Sequence, residues 1–257
     1  MQLKVLGCSG GIGGALRTTC LMLDDDILLD AGTGVMDLSI PQMLQIEHIF
    51  ITHAHLDHIA CIPLLADTVL GLGKSRITVH ATVETWQVIC DHLFNWKIWP
   101  DFTRIPSAES PILVWEEIRL GETVTLGTRK ITPIPAHHVV PALGFHLEGK
   151  NASLMFSGDT SYCEDFWRYA NTLANLQHMI VETSFPDAEK TLADSSRHFY
   201  PALLGKALRT LQPAQLPTVW VTHLKPGEDG LIMQEIMQVK PEQLEVHALS
   251  QGQVFNL

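Results

Sequence analysis

The stretch ITHAHLDHIACIPLL, Ile51 to Leu65, governs how the rest of the chain is read. It sets His53, His55, Asp57 and His58 close together, directly after an apolar run. Neutral imidazoles and a carboxylate are the side chains that bind zinc and similar divalent ions. A polar surface turn accounts for one histidine. Three histidines and an aspartate, held between IFIT and IACIPLLA, point to a metal site.

Outward from this stretch, short apolar runs alternate with turn signals. LKVLG, TCLMLD, DILLDAG and EHIFITH read as strands, with hairpin-like turns at DDD (24–26) and AGTG (31–34). IACIPLLADTVLGLG predicts a helix ending at Gly71 or Gly73, and TVETWQVICDHLFNW a helix with Thr82 as N-cap and Glu84 in its first turn. From about residue 113 strands return. They are followed by helices around 163–174 and 201–211, the strands HMIVET and TVWVTH, and a closing helix-then-strand segment. Two half-chains of strands followed by helices predict two packed sheets with helices outside.

The polar exceptions fall at strand ends. Asp30 follows DILL, His53 follows IFIT, His137 and His138 follow ITPIPA, Asp159 follows LMFSG, and His223 follows VWVT. Strand ends are where a rigid scaffold presents side chains into a shared crevice. One metal site accounts for the whole set.

Composition narrows the function classes. The 257 residues are 46% hydrophobic and 18% charged, ordinary for a globular protein with a sizeable core. The net charge of −11 opposes capture of a long nucleic acid, which needs many Lys and Arg contacts to phosphate. No apolar run approaches the roughly 20 residues needed to cross a membrane. The start, MQLKVLGCSGG, is expected to be a first strand and Gly-rich turn rather than a processed leader. Five cysteines without a CxxC pair fit a reducing cytoplasm. The loop GCSGGIGG (7–14) lacks a dinucleotide fingerprint, because Leu16 holds the last glycine position. It reads equally as a tight turn or as backbone N–H groups approaching a phosphate.

THAHLDH (52–58) resembles the metal motif of the metallo-β-lactamase superfamily. LLDAG (28–32), FSGDT (156–160) and VTHLKP (221–226) are similar to its other motifs, in the expected order and through nearly the whole chain. The resemblance implies an α/β fold, a four-layer αββα sandwich in a single domain over residues 1–257, with a two-metal site at one edge. HLDHIACIPLL (55–65) resembles the signature of class II cyclic-nucleotide phosphodiesterases. HVVPALGF (138–145) is similar to both those enzymes and the tRNA 3′-processing endonucleases. ETSF (182–185) with downstream His198 resembles the latter.

By this resemblance His53, His55 and His138 hold one metal, Asp57, His58 and His223 hold the other, and Asp159 bridges. The phrase H-x-x-P places the ligand at His138 rather than His137. Asp57, Glu182 and His198 are the candidate catalytic residues, with Glu182 and His198 placed to protonate a leaving oxygen. Asp30 is expected to orient the ligand loop. The ions are most simply zinc, with manganese or iron also compatible. Two such ions hold a bridging hydroxide and clamp an in-line displacement. Their four positive charges, less those of Asp57 and Asp159, leave a centre that suits one phosphodiester anion.

The implied function is hydrolysis of a small phosphodiester such as a 3′,5′-cyclic nucleotide. A tRNA-processing nuclease is the runner-up. A thioester or lactam hydrolase and a non-catalytic metal-binding scaffold follow. The expected partner is a small anionic substrate, without long nucleic acid or membrane, in the cytoplasm. A homodimer is left open.

Overall fold

The computed structural model describes residues 1–74, 76–212 and 216–257. Its strands form two seven-stranded sheets. The first contains β1 (Gln2–Gly7), β2 (Cys20–Leu23), β3 (Ile27–Leu29), β4 (His48–Phe50), β5 (Ile77–Ala81), β6 (Leu113–Glu117) and the last strand, β14 (Val254–Asn256), in the order β14-β1-β2-β3-β4-β5-β6. The second contains β7 (Val124–Leu126), β8 (Arg129–Pro135), β9 (Leu143–Glu148), β10 (Ser153–Phe156), β11 (Leu176–Glu182), β12 (Thr218–Thr222) and β13 (Val246–Ala248), in the order β13-β12-β11-β10-β9-β8-β7.

Strand alternation builds the layers. Ile27, Leu29 and Phe50 of the first sheet pack with Ile131, Phe145, Leu147, Leu154 and Phe156 of the second in one core between the sheets. Their neighbours Leu28 and Ile49 turn outward to pack with Ile62, Leu65, Val69 and Ile89. Those four belong to α3 (Ile62–Gly71) and α4 (Val83–His92), beside α1 (Ile40–Gln45). Met179, Val181, Val219 and Val221 turn outward from the second sheet onto α5 (Glu164–Ala170), α7 (Pro201–Leu208) and α8 (Asp229–Val239). The result is the αββα sandwich that the motifs implied.

Direction explains why the polar residues cluster. β3, β4, β5 and β6 pair in parallel, as do β10, β11, β12 and β13. β8 is antiparallel to β9, which is antiparallel to β10, so β8 and β10 point the same way. The segments carrying Asp30, His53, His138, Asp159 and His223 therefore leave carboxyl ends of co-directional strands, the crevice where open sheets bind ligands.

Three local expectations are revised. DDD does turn β2 antiparallel onto β3, but AGTG is no hairpin: it leads into a 3₁₀ turn, Thr33–Asp37, and β3 pairs with β4 in parallel. The helix expected over 59–73 ends at Gly71 as expected but starts only at Ile62, as α3, and a separate single turn, α2 (Leu56–Ile59), precedes it. Pro63 is the physical reason, since it lacks the N–H that would bond the Ile59 carbonyl. The last segment makes two strands, not one. β13 completes the second sheet and β14 returns to the first. A helix not anticipated, α6 (Lys190–Ser196), precedes His198. The Thr82 cap is present, accepting from Thr85 N–H.

Two histidines lie buried in the sheets away from the crevice. His80 is 1% exposed and stacks on Phe50 at 4.1 Å, while His146 bonds the Tyr169 hydroxyl at 3.0 Å. Burial pushes both imidazoles down to about 4, with His48 adding to the effect at His80. Below the ordinary imidazole range near pH 6.5, the unfolded chain takes up protons that the folded chain refuses. Stability should therefore be full above about pH 6.5 and fall towards about pH 4, by up to about 1.4 kcal/mol per pH unit for each group. Urea unfolding of wild type and His80→Asn at pH 7.5 and 5, both with excess chelator, checks this. The gap between them should narrow at pH 5; an unchanged gap would refute it.

Candidate metal centre

The ITHAHLDH segment leaves β4 in extended backbone and enters α2 at Leu56, with His55 at its N-cap. His53 and His55 thus come from the extended stretch, and Asp57 and His58 from the single turn α2. Across the crevice come His138 after β8, Asp159 after β10 and His223 after β12. His53, His58, His138, Asp159 and His223 are all buried, while His55 and Asp57 are half-buried.

Two quartets form. In His53, His55, His138 and Asp159, and again in Asp57, His58, Asp159 and His223, the ligand-type atoms lie within 4.8 Å of one another. Asp159 belongs to both. Its Oδ2 is 3.6 Å from His53 Nε2 and 3.3 Å from His223 Nε2, and its Oδ1 is 3.3 Å from His58 Nε2. His55 Nδ1 and His138 Nε2 are 3.2 Å apart, and His223 Nε2 is 3.1 Å from Asp57 Oδ2. His137 is exposed and stands outside both quartets, its N–H donating to Thr160 Oγ1 at 2.8 Å.

The surrounding bonds decide which nitrogens face inward. Asp30 is fully buried, with one oxygen 2.7 Å from His58 Nδ1. Thr52 donates its N–H and its hydroxyl to the same carboxylate at 2.8 Å each. With its proton committed, the Thr52 oxygen accepts from His53 Nδ1 at 3.0 Å. His138 Nδ1 donates to the Arg197 carbonyl at 3.1 Å, and His223 Nδ1 to Ser184 Oγ at 2.9 Å. Four rings thus engage the protein through Nδ1 and turn Nε2 into the crevice, the arrangement a metal needs. Asp30 takes the orienting place expected of it. Thr52, Ser184 and Arg197 were missed. Thr52 and Ser184 lie inside quoted motifs, but nothing in the sequence marks Arg197.

The centre fits divalent cations. His53 Nε2 and His58 Nε2 are buried without a hydrogen-bond partner among the described residues, beside carboxylate oxygens. Burial holds His53 well below, and His138 down to about 4, so both rings are neutral at pH 7. At Asp159 burial opposes ionisation, but His223 and His58 outweigh it and hold the carboxyl well below its usual range. Burial likewise opposes a charge on His58, yet Asp159 and Asp30 raise its pKa well above the ordinary value. The pocket favours positive charge.

Glu182 and His198 stand beside the quartets. Glu182, at the end of β11, is fully buried, and its Oε1 accepts from His198 Nδ1 at 2.8 Å and from Thr160 N–H at 3.0 Å. Its Oε2 accepts the Ser184 hydroxyl at 3.2 Å. Glu182 therefore lies behind His198 and orients it. The His198 ring stands 4.9 Å from that of His138 and 5.3 Å from that of His223. Burial disfavours its charge, but Glu182 outweighs burial and raises its pKa.

Within the Gly-rich loop, Gly10 has a packing role. A Cβ on Gly10 would lie 2.4 Å from the His223 carbonyl oxygen, so only glycine lets the loop close over that histidine. Backbone strain also concentrates here. Asp30, Arg197 and His223 have φ of 58°, 53° and 61°, left-handed values that side chains adopt reluctantly.

The sequence pattern described as a beta-lactamase superfamily domain matches residues 25–224. A probable 3′,5′-cyclic-nucleotide phosphodiesterase of Yersinia pestis is 28% identical over 239 residues, 80% of this chain and 67% of that protein. The ribonuclease Z of Methanocaldococcus jannaschii is 24% identical over 230 residues, 72% of this chain and 71% of that protein. The crystal structure of unliganded yeast PDE1 shares the fold, with a TM-score of 0.82 at 18% identity over 100% of this chain and 99% of that one.

Proposed function

The chain belongs to the β-lactamase superfamily and is a hydrolase of its metal-dependent kind, and from that premise we propose that it is a phosphodiesterase acting on a small phosphodiester such as a 3′,5′-cyclic nucleotide. The observation that carries this reading is the meeting of two ligand quartets on Asp159, with the His198–Glu182 pair alongside.

His53, His55 and His138 would hold one divalent ion, Asp57, His58 and His223 a second, and Asp159 both. Imidazole and carboxylate donors most simply suit zinc. Such ions supply Lewis acidity, which makes water nucleophilic near neutral pH and offsets phosphoryl charge. The protein does the rest. Asp30, Thr52, Ser184 and the Arg197 carbonyl fix the rings. Glu182 locks His198 through Nδ1 and raises its pKa, which leaves Nε2 as the nitrogen that would carry a proton to the substrate. As the water oxygen bonds to phosphorus and releases a proton to solvent, the P–O bond to the ribose breaks and the departing oxygen takes the His198 proton, which His198 regains from solvent. Both halves of the chain supply ligands, which supports one domain over residues 1–257.

The Yersinia pestis relative supports a cyclic-nucleotide substrate. A tRNA-processing nuclease is the second reading, favoured by the ribonuclease Z relative. Against it, 17 Lys and Arg face 28 Asp and Glu. A panel of bis(p-nitrophenyl) phosphate, cyclic AMP, a thioester and a β-lactam, offered to zinc-loaded protein, tests the reaction class. Turnover of the phosphodiesters alone is expected. Thioester or lactam hydrolysis without phosphodiester turnover would refute the reading.

A further inference from the structure

We propose that Arg197 is a positioning residue: it grips the loop of His138 at two points and thereby fixes both that ring and the neighbouring His198 in the crevice. The proposal rests on the phosphodiesterase reading for its activity measurement only.

Arg197 follows the last residue of α6 and closes it. Its N–H bonds the Asp194 carbonyl at 3.4 Å, and the next N–H, of His198, bonds the Ala193 carbonyl at 2.9 Å. This is the Schellman closure, whose left-handed residue is usually glycine. Here φ and ψ are both 53°, yet an arginine fills the place. Glycine would satisfy the backbone without strain. The side chain must therefore earn its position elsewhere.

It does so at His138. The Arg197 carbonyl accepts from His138 Nδ1 at 3.1 Å, and the Arg197 guanidinium donates to the His138 carbonyl at 2.7 Å. The first bond turns His138 Nε2 inward, 3.2 Å from His55 Nδ1. The second ties the main chain of the loop after β8 to the end of α6. Because His198 is the next residue and is anchored to Glu182 at 2.8 Å, the same clamp sets the spacing between the proton donor and the ligand rings. A carbonyl alone would aim the ring but leave the loop free to move. The guanidinium removes that freedom.

Arg197→Gly separates the two bonds, since it keeps the carbonyl and suits the left-handed backbone. Its metal-free form should melt at or above the wild-type temperature. Zinc affinity, measured by competition with a chromophoric chelator, should weaken by about 10–100-fold, the usual cost of losing a partner that orients a ligand. Turnover of cyclic AMP should fall in kcat with KM little changed. Arg197→Lys keeps one cationic donor and should recover part of both losses. Zinc binding by Arg197→Gly within twofold of wild type would overturn the proposal. So would a loss of affinity accompanied by a matching fall in the melting temperature of the metal-free protein, which would mark general unfolding. A wild-type enzyme that turns over no phosphodiester would strike the functional reading alone, because the zinc titration needs no substrate.

Discussion

Replacing His198 with alanine is expected to lower kcat on a cyclic nucleotide by about 10²–10⁴-fold, the usual contribution of a positioned proton donor. Metal content should stay at the wild-type level, since His198 belongs to neither ligand quartet. The effect follows from geometry and charge together. Glu182 holds Nδ1 at 2.8 Å and raises the pKa of the ring against the opposing effect of burial, which favours the protonated imidazole beside the ligand rings of His138 and His223. The loss should shrink for a p-nitrophenolate leaving group, which departs without a proton. Steady-state kinetics on cyclic AMP and bis(p-nitrophenyl) phosphate make the comparison. An equal loss on both would assign His198 to positioning rather than proton donation.

Asp159→Ala is expected to do more damage to the metal centre than any other single change. Asp159 is 2% exposed, and its two oxygens lie within 3.6 Å of His53, His58 and His223. Its removal takes one donor from both quartets at once. Zinc affinity should fall by more than the about 10–100-fold that loss of an orienting partner costs, and activity should fall with it. Calorimetric titration should find at most one tight equivalent in the variant, where two are expected for the wild type. Two tight equivalents in the variant would show that the carboxylate is not shared.

Much of this centre is legible in the sequence because metal chemistry uses few residue types. His53, His55, Asp57 and His58 announce themselves by density, and Asp159 and His223 by ending apolar strands. The sandwich is legible because alternating runs such as ILL and LGFHLE bury one face between the sheets and one under helices. What stays hidden is whatever depends on long-range approach. The Arg197 carbonyl reaches His138 across 59 positions, and a backbone group carries no signature of its partner. Ser184 reads as one more small polar residue until the fold brings it 2.9 Å from His223, 39 positions away. AGTG carries hairpin chemistry, but the parallel pairing of β3 with β4 overrides it. The break between α2 and α3 was readable from Pro63, and the apolar pattern running through it concealed the break.

The central claim is that this metal centre serves a small phosphodiester. The most direct measurement is kcat/KM for cyclic AMP and cyclic GMP against precursor tRNA, with one zinc-loaded preparation. Efficient cleavage of at least one cyclic nucleotide, with little or no trimming of the tRNA, is the predicted result. It agrees with the net charge of −11, which gives a long polyanion few cationic contacts. Efficient trimming of precursor tRNA with no turnover of either cyclic nucleotide would contradict it.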